Sequence, residues 1–519
     1  MSGSHVFVTR GDLTHLRCDA WLLPGDSLYT VEVGWTTAVD GLAAAVQSLR
    51  GVTPDFAEGR ALAVPVAGWD PEDPLPVLTA VPLWGVQDPR DVRAPVEEFI
   101  AVAAASVSAW PRGRRSVPLL AMPAFGTGEG GGGARRGAVL RELLAAAQAA
   151  GAAAGVDVVL VLRQESDLAL AQSQRRQRPA DAVWPALSGR LRQAAKGLGA
   201  QAAQGQLVPF LGSGVSATAG APTWPQLIHR LADRLDLDDR QRAQLGELDV
   251  LDQAHVVREL SGEQDIDFGR MVAEQVMVER YGLAPALLAS LPVNQAVTLN
   301  YDRLFEIASE DVGRPVTVLP EASAAAGERW LLKLHGSVTD PGSIVLTRDD
   351  YLGYGATRGA LSAIVKALLF THRLLFVGFG LTDDHVHAIV HDVRRAMPAE
   401  ASDRTFGTAL LLREEPLQER IWRGKVEVLA MEEGRAEDRA AGDEARTLEI
   451  FLDCLLAHAV NSQTFLLAEG YADVLSPAEG DLRQRLLRLA ANVSPEERET
   501  SSWAVIAAAL RDLGLRVGD

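Results

Sequence analysis

This 519-residue sequence is expected to form an α/β protein of two domains with a helical tail. Short apolar runs bounded by Gly, Pro or Asp alternate with helical patterns almost throughout, as in sheets whose strands are joined by helices. The polar, basic run from Gln172 to Pro179 splits that alternation into two series. A chain of this length is also too long for one ordinary core.

In chain order, the first series predicts strands at His5–Thr9, Ala20–Leu23, Leu78–Leu83, Val117–Ala121 and Val156–Leu162. Between the last two, Ala138–Ala150 is rich in Ala, Leu and Glu, which lose little side-chain freedom in a helix. These elements define a domain over residues 1–172, and the arginines of 173–200 read as a solvated linker. The second series opens with a strand at Leu207–Leu211, followed by a helix-rich insertion at about 225–290. Strands follow at Ala296–Leu299, Val316–Leu319, Trp330–Leu334, Leu374–Val377, Ala409–Leu412 and Val426–Ala430, closing a Rossmann-like domain over 201–457. Residues 458–519 read as a helical C-terminal region without recognisable catalytic spacing.

Composition narrows the function. Hydrophobic residues make up 47% and charged residues 23%, the balance of a globular chain rather than a disordered one. A formal net charge of −18 argues against a basic groove along a nucleic-acid duplex. The two cysteines, Cys18 and Cys454, supply neither a CxxC pair nor a disulfide framework, which points to a reducing cytoplasm. Met1 to Arg10 lacks the basic-then-apolar pattern of a signal peptide. The most membrane-like stretch, Leu143 to Leu162, is broken by Gln148, Gly151, Gly155 and Asp157, so no membrane segment is expected.

Four segments of the second domain carry chemistry. Val208 to Trp224 runs from a strand into a turn holding Gly212, Ser213 and Gly214, then toward a helix. Such glycines let the backbone approach a pyrophosphate, whose charge a helix N-terminus stabilises. Val297 to Glu306 places Asn300 and Asp302 at the end of a strand, and Leu332 to Ser337 does the same with His335. Phe376 to Asp384 is a second glycine turn, with Gly378 and Gly380 ahead of Asp383. Ligands of open α/β sheets bind beyond the carboxyl ends of the strands, so the four should converge on one crevice.

In this order and spacing the segments resemble the sirtuin superfamily, in particular its bacterial sirtuin-like branch found in anti-phage systems. The resemblance covers roughly half the chain and includes Ser343 to Tyr351. It implies that Gly212, Ser213, Gly214 and Ser216 meet the phosphates and ribose of NAD+. Asp302, Gly378 and Gly380 join the same cofactor-binding set, with Asp383 on the adenosine side. Asn300 would hold a water or a ribose hydroxyl at the scissile glycosidic bond, and His335 would be a general base active near neutrality. Protein-deacetylating sirtuins usually carry a zinc module with two CxxC pairs, which two cysteines cannot build, and a Pro-Asp-Phe-Arg run, where this chain has Pro222-Thr223-Trp224-Pro225. Both departures favour plain hydrolysis of NAD+ over acyl-lysine chemistry.

Near the N-terminus, Val8 to Ala20 contains Gly11-Asp12-Leu13-Thr14, which resembles the opening of macro domains, where such a run meets adenosine. Pro123 to Gly131 resembles their phosphate loop, whose successive N–H groups cradle a diphosphate. The Asn-Ala-Ala-Asn-type motif is replaced by Leu23-Pro24-Gly25-Asp26. An ADP-ribose-like ligand, a structural role and a protein-docking role all stay open for this domain, and hydrolysis there is not expected. His385, His387 and His391 have metal-like spacing but no accompanying Glu, and read as a polar helix face rather than a metal site.

The sequence thus points to an NAD+ glycohydrolase effector of bacterial anti-phage defence, with NAD+ as substrate and no metal. Deacylase or ADP-ribosyltransferase activity, or non-catalytic sensing of NAD+ or ADP-ribose, are the rival functions. The likeness further implies a homo-oligomer, with a DNA-translocase-type ATPase or another defence-system protein as a candidate partner.

Overall fold

The structure, a computed structural model, describes residues 3–82, 84–108, 115–128, 131–398, 405–432 and 443–516. The chain forms two units. One comprises Met1–Thr14, Cys18–Arg192 and Asp453–Asp519, and the other His15–Arg17 and Gln193–Leu452.

The first unit is built on strands β1 (Val6–Arg10), β2 (Ala20–Gly25), β3 (Ala63–Pro65), β4 (Leu75–Ala80), β5 (Leu119–Met122) and β6 (Asp157–Leu162). They form one sheet in the order β1-β6-β5-β2-β4-β3. Every pairing is parallel except that of β3 with β4 at the edge. All six residues of β6 are buried, as expected for a strand covered on both faces. The helix Arg136–Ala154 lays Val139, Leu140 and Leu143 into the core and ends at Gly155, whose φ of 70° supplies the left-handed cap. Four of the expected strands lie within about two residues of the apolar runs, while β4 begins three residues before the expected Leu78–Leu83 and ends at Ala80. The edge strand β3 was missed because three residues ending in Pro make no periodic signal. Leu83, the expected end of β4, lies outside the described residues.

Two expectations need correction. Residues 173–200 are not a solvated linker, because the helix Glu165–Arg176 runs into them and buries Arg175 against Asp453. Next to it, the Arg176 guanidinium donates to the Ala457 and Val460 carbonyls at the end of the helix Asp443–Ala459. Residues 458–519 are helical as expected, over Pro477–Ala491, Pro495–Arg498 and Ser501–Asp512. They belong to the first unit, however, rather than forming a separate region. Tyr471 is the clearest tie: its phenol donates to Asp167 at 2.7 Å.

The second unit carries β7 (Leu207–Leu211), β8 (Gln295–Thr298), β9 (Thr317–Leu319), β10 (Trp330–Lys333), β11 (Arg373–Val377), β12 (Gly407–Leu411) and β13 (Glu427–Ala430). The sheet is entirely parallel, in the order β13-β12-β11-β7-β8-β10-β9. The chain moves outward from β7 to β8 on one side and later resumes at β11 on the other. The reversal opens a crevice at the C-terminal ends of β7 and β11. Phe210, Phe376 and Phe379 pack beneath it in the main core.

The expected insertion is present as helices Trp224–Ala232, Asp239–Gly246, Val250–Glu263, Phe268–Val276 and Leu283–Ala289. Asp238, Asp249 and Asp267 each cap the helix that follows by accepting a backbone N–H. Leu227, Leu231, Val257 and Val272 give the insertion its own small core. No helix among the described residues is long and apolar enough to cross a membrane.

Candidate functional site

The two glycine turns are fitted to each other. A Cβ on Gly212 would lie 2.4 Å from the Gly378 carbonyl oxygen, and one on Gly214 would lie 2.8 Å from the Gly378 Cα. Gly378 has φ of 64°, and a Cβ there would reach 2.4 Å from the Val215 nitrogen. The Gly214 N–H donates to the Gly378 carbonyl at 2.9 Å. These glycines therefore join the turns backbone to backbone. Gly214 does not line the cavity described below, whereas Gly212, Ser213, Gly378 and Gly380 do. The helix after the first turn, Gly214–Ala217, is also only four residues long, so it offers a ligand little of a helix dipole.

Asn300 follows β8 and faces the first turn. Its Nδ2 donates to the Gly212 carbonyl at 3.0 Å and to Ser216 Oγ at 3.2 Å. A carbonyl can only accept, which fixes the amide orientation and leaves Oδ1 without a partner among the described residues. Ser216 in turn donates to Asp302 Oδ2 at 2.8 Å. Asp302 Oδ1 accepts the Leu304 N–H and caps the helix Leu304–Asp311. Asp302, expected to bind cofactor, thus holds Ser216 and its own helix.

Behind this chain lies a buried lysine that the sequence reading passed over. Lys333, at the end of β10, pairs with Glu306 at 2.7 Å and donates to the Asp302 carbonyl at 2.6 Å. It also reaches Ser337 Oγ at 3.3 Å. One ammonium therefore ties the loop carrying Asn300 to the loop carrying His335. Burial pushes the Glu306 carboxyl up, and Lys333 opposes the shift. The available signal was a charged residue inside an otherwise apolar strand.

His335 is only 2% exposed. Burial pushes its imidazole down to about 4; Asp383 opposes the shift, while His385 and Arg358 add to it. It is therefore neutral near pH 7 rather than poised to titrate there. Its Nε2 lies 3.3 Å from His385 Nδ1 and 3.9 Å from Asp383 Oδ2. Asp383 caps the helix Asp384–Ala396 through Oδ1, and its Oδ2 accepts the Tyr351 phenol at 2.6 Å. Asp383 consequently stands beside His335.

His385 lies stacked between Tyr351 and Tyr354, with ring centroids 4.2 and 3.8 Å away. Its Nε2 faces the Tyr351 carbonyl at 3.4 Å, which accepts only, so Nε2 carries the ring proton. Burial lowers the His385 pKa, which leaves Nδ1 as an acceptor. His335 Nε2 must then donate to it, and the lone pair of His335 falls on Nδ1. Among the described residues, Nδ1 has no hydrogen-bond partner. His387 and His391 do not join this group. His387 bonds the Leu381 carbonyl and packs on Trp422, and His391 is exposed.

Asn300, Asp302, His335, Ser216 and Asp383 line one cavity of about 490 Å³ together with the two turns. Trp224, Leu227, Leu251 and Tyr351 close its insertion side. This size and mix of apolar walls with a few convergent polar groups suits a cofactor-sized ligand. A neutral imidazole beside an anchored amide can orient a water and receive its proton.

The first unit holds a second cavity, of about 770 Å³, between Gly11, Asp26, Arg163 and the loop Pro123–Gly128. Asp12 accepts the Thr14 N–H and pairs with Arg163, so the Gly11–Thr14 turn is held in place. Gly126 has φ of 76°, and a Cβ there would reach 2.8 Å from a Val86 methyl. Glu129 and Gly130, part of the expected phosphate loop, lie outside the described residues.

Comparison with known proteins bears on the second unit. Residues 294–428 match the family described as SIR2-like domain. A protein named NAD(+) hydrolase ThsA from Enterococcus faecium is 29% identical over 203 residues, covering 37% of this chain and 40% of that protein. Defense-associated sirtuin 2 of Bacillus subtilis is 27% identical over 197 residues, covering 37% of this chain and 19% of that protein. NAD(+) hydrolase ThsA of Bacillus cereus is 28% identical, covering 36% and 40%. The matches thus span at most 40% of the length of these curated relatives. Among solved structures, a macrodomain of Oceanobacillus iheyensis aligns at 16% identity over 34% of this chain and 93% of its own, with a TM-score of 0.27, too low to carry an argument. The match to a SIR2-like domain, residues 294–428, lies within the second unit and takes in Asn300, His335 and Asp383.

Proposed function

We propose that the second unit hydrolyses NAD+ to nicotinamide and ADP-ribose. The observation that carries this reading is the meeting of Asn300 and His335 with two glycine turns in one cavity, at the point where the strand order reverses. Relatives named NAD(+) hydrolase support it.

Nicotinamide leaves as a neutral molecule and takes the bonding electron pair, so no general acid is needed. The ribose carbon becomes oxocarbenium-like and is attacked by water. Asn300 Oδ1 would accept a hydrogen bond from that water or from a ribose hydroxyl, which places it for attack. His335 Nδ1 would take the proton, while Nε2–H stays on His385. The imidazolium so formed lies 3.9 Å from the Asp383 carboxylate, which offsets its charge until the proton leaves to solvent.

The biological role proposed with this chemistry is depletion of NAD+ as a cytoplasmic anti-phage effector. Such an activity needs restraint, for which we propose homo-oligomer assembly, a DNA-translocase-type ATPase partner, or an ADP-ribose-like ligand in the cavity of the first unit. The deciding experiment is nicotinamide release from NAD+ by wild type, His335→Ala and Asn300→Ala. Release by wild type, lost in both variants, is the expected result. Wild-type protein that neither binds nor cleaves NAD+ would overturn the reading.

A further inference from the structure

We infer that His335, His385 and Asp383 form a binding site for a divalent transition metal of the zinc type, and that filling it silences the base. Only the second clause rests on the hydrolytic reading. His335, His385 and Asp383 each offer one donor atom, a ring nitrogen or a carboxylate oxygen, and the three atoms lie within 4.8 Å of one another. From His335 Nε2 the edges are 3.3 Å to His385 Nδ1 and 3.9 Å to Asp383 Oδ2. Zinc bonds of about 2.0–2.1 Å in a tetrahedron require donor-to-donor edges of about 3.3–3.4 Å, so the first edge already matches, the second closes by about 0.5 Å, and the third, at most 4.8 Å, closes by about 1.5 Å or less. Three protein donors leave a fourth position for water.

The surroundings fit this assignment independently. Histidines that bind a metal usually donate their other ring N–H to a carbonyl or carboxylate, and ligating carboxylates are themselves hydrogen-bonded. His385 Nε2 faces the Tyr351 carbonyl, and Asp383 accepts both the Tyr351 phenol and the Val386 N–H. Tyr351 thus braces two of the three donors. The donors come from the end of β10 and from Asp383-Asp384-His385 at the start of one helix, a separation that the His385/His387/His391 spacing did not suggest.

The consequence for the base follows from proton accounting. Neutral His335 carries one ring proton, on Nε2. A metal taking the Nε2 lone pair obliges that proton to move to Nδ1, the atom proposed to receive a proton from water. His385 already presents a lone pair on Nδ1 and Asp383 is a carboxylate, so the three donors bind the metal without net proton release. The imidazole is then unable to act as a base, whether or not NAD+ is bound.

Cobalt(II) titrated into the full chain, with its visible absorption recorded, tests the site without reference to activity. One equivalent should give the intense bands of a four-coordinate ion, competed away by zinc and lost in His385→Gln. Tyr351→Phe should weaken binding by about 10- to 100-fold. Absence of such bands, or bands unchanged in a His385→Gln protein with wild-type circular dichroism, would overturn the site. Zinc at the concentration that displaces cobalt should stop nicotinamide release, and a chelator should restore it. Undiminished release with the site filled would overturn the silencing. If wild type neither binds NAD+ nor releases nicotinamide, the hydrolytic reading fails while the cobalt titration still decides the site.

Discussion

His335 stays neutral across the physiological range, and this sets two expectations at the residue scale. If it is the base, the acid limb of the kcat/KM profile for nicotinamide release falls near pH 4 and not near the usual imidazole value of about 6.5. The same shift affects stability. Below about pH 6.5 the unfolded chain takes up a proton that the folded chain refuses until about 4, so stability falls as pH falls through that window. The slope from this group is at most about 1.4 kcal/mol per pH unit. Urea unfolding at pH 7 and pH 5 should show wild type losing more stability than His335→Gln, and equal losses would rule the shift out. Asn300 makes a second test, because its Nδ2 donates to a carbonyl that an aspartate cannot approach favourably. Asn300→Asp should keep the fold by circular dichroism and lower nicotinamide release about 100-fold through misplacement of the water. Asn300 and His335 were legible because each ends a strand in a short recognisable run. The grouping of His335 with His385 and Tyr351 was not, since the direction of each side chain depends on helix starts and stacking that no spacing encodes.

At the scale of elements, most of the architecture was legible and its tuning was not. Buried parallel strands are nearly continuous apolar runs, so β7, β11 and β12 announced themselves, and Asp residues marked the helix starts of the insertion. The glycines of the two turns were visible as well, but their fit to each other was not. Only three dimensions show Gly212 and Gly214 packed against Gly378. The Lys333–Glu306 pair is the other hidden feature, because a lysine in a four-residue strand gives no clue to its partner. It lies under the loops of Asn300 and His335. Lys333→Met should cost about 3–5 kcal/mol by leaving Glu306 buried and unpaired. Adding Glu306→Leu should recover part of that loss in urea unfolding. Two single costs that simply add in the double variant would mean the pair does not couple the loops.

At the scale of the whole molecule, the division of the chain was the least legible feature, because the first unit is completed by residues hundreds of positions away from its sheet. Asp453 shows why. It is wholly buried and accepts from His5, from Arg175 and from the Trp184 indole, with its Oδ1 also taking the Val8 N–H. Arg175 and these other donors keep its carboxyl well below the usual range against the opposing pull of burial. Each donor, read alone, looks like an ordinary surface residue, which is why the arginine run passed for a linker. Removing the carboxylate by Asp453→Ala strands the buried Arg175 charge and should cost about 3–5 kcal/mol, a large share of the roughly 5–15 kcal/mol that holds a domain together. Residues 1–192 alone lack Asp453 and also Tyr471, whose phenol is bonded to Asp167. That fragment should therefore show no cooperative thermal transition, while the same fragment joined by a flexible linker to 453–516 should regain one. A cooperative transition in the short fragment would mean that the sheet and its own helices suffice, and that the C-terminal residues are an addition to the unit and not part of its core.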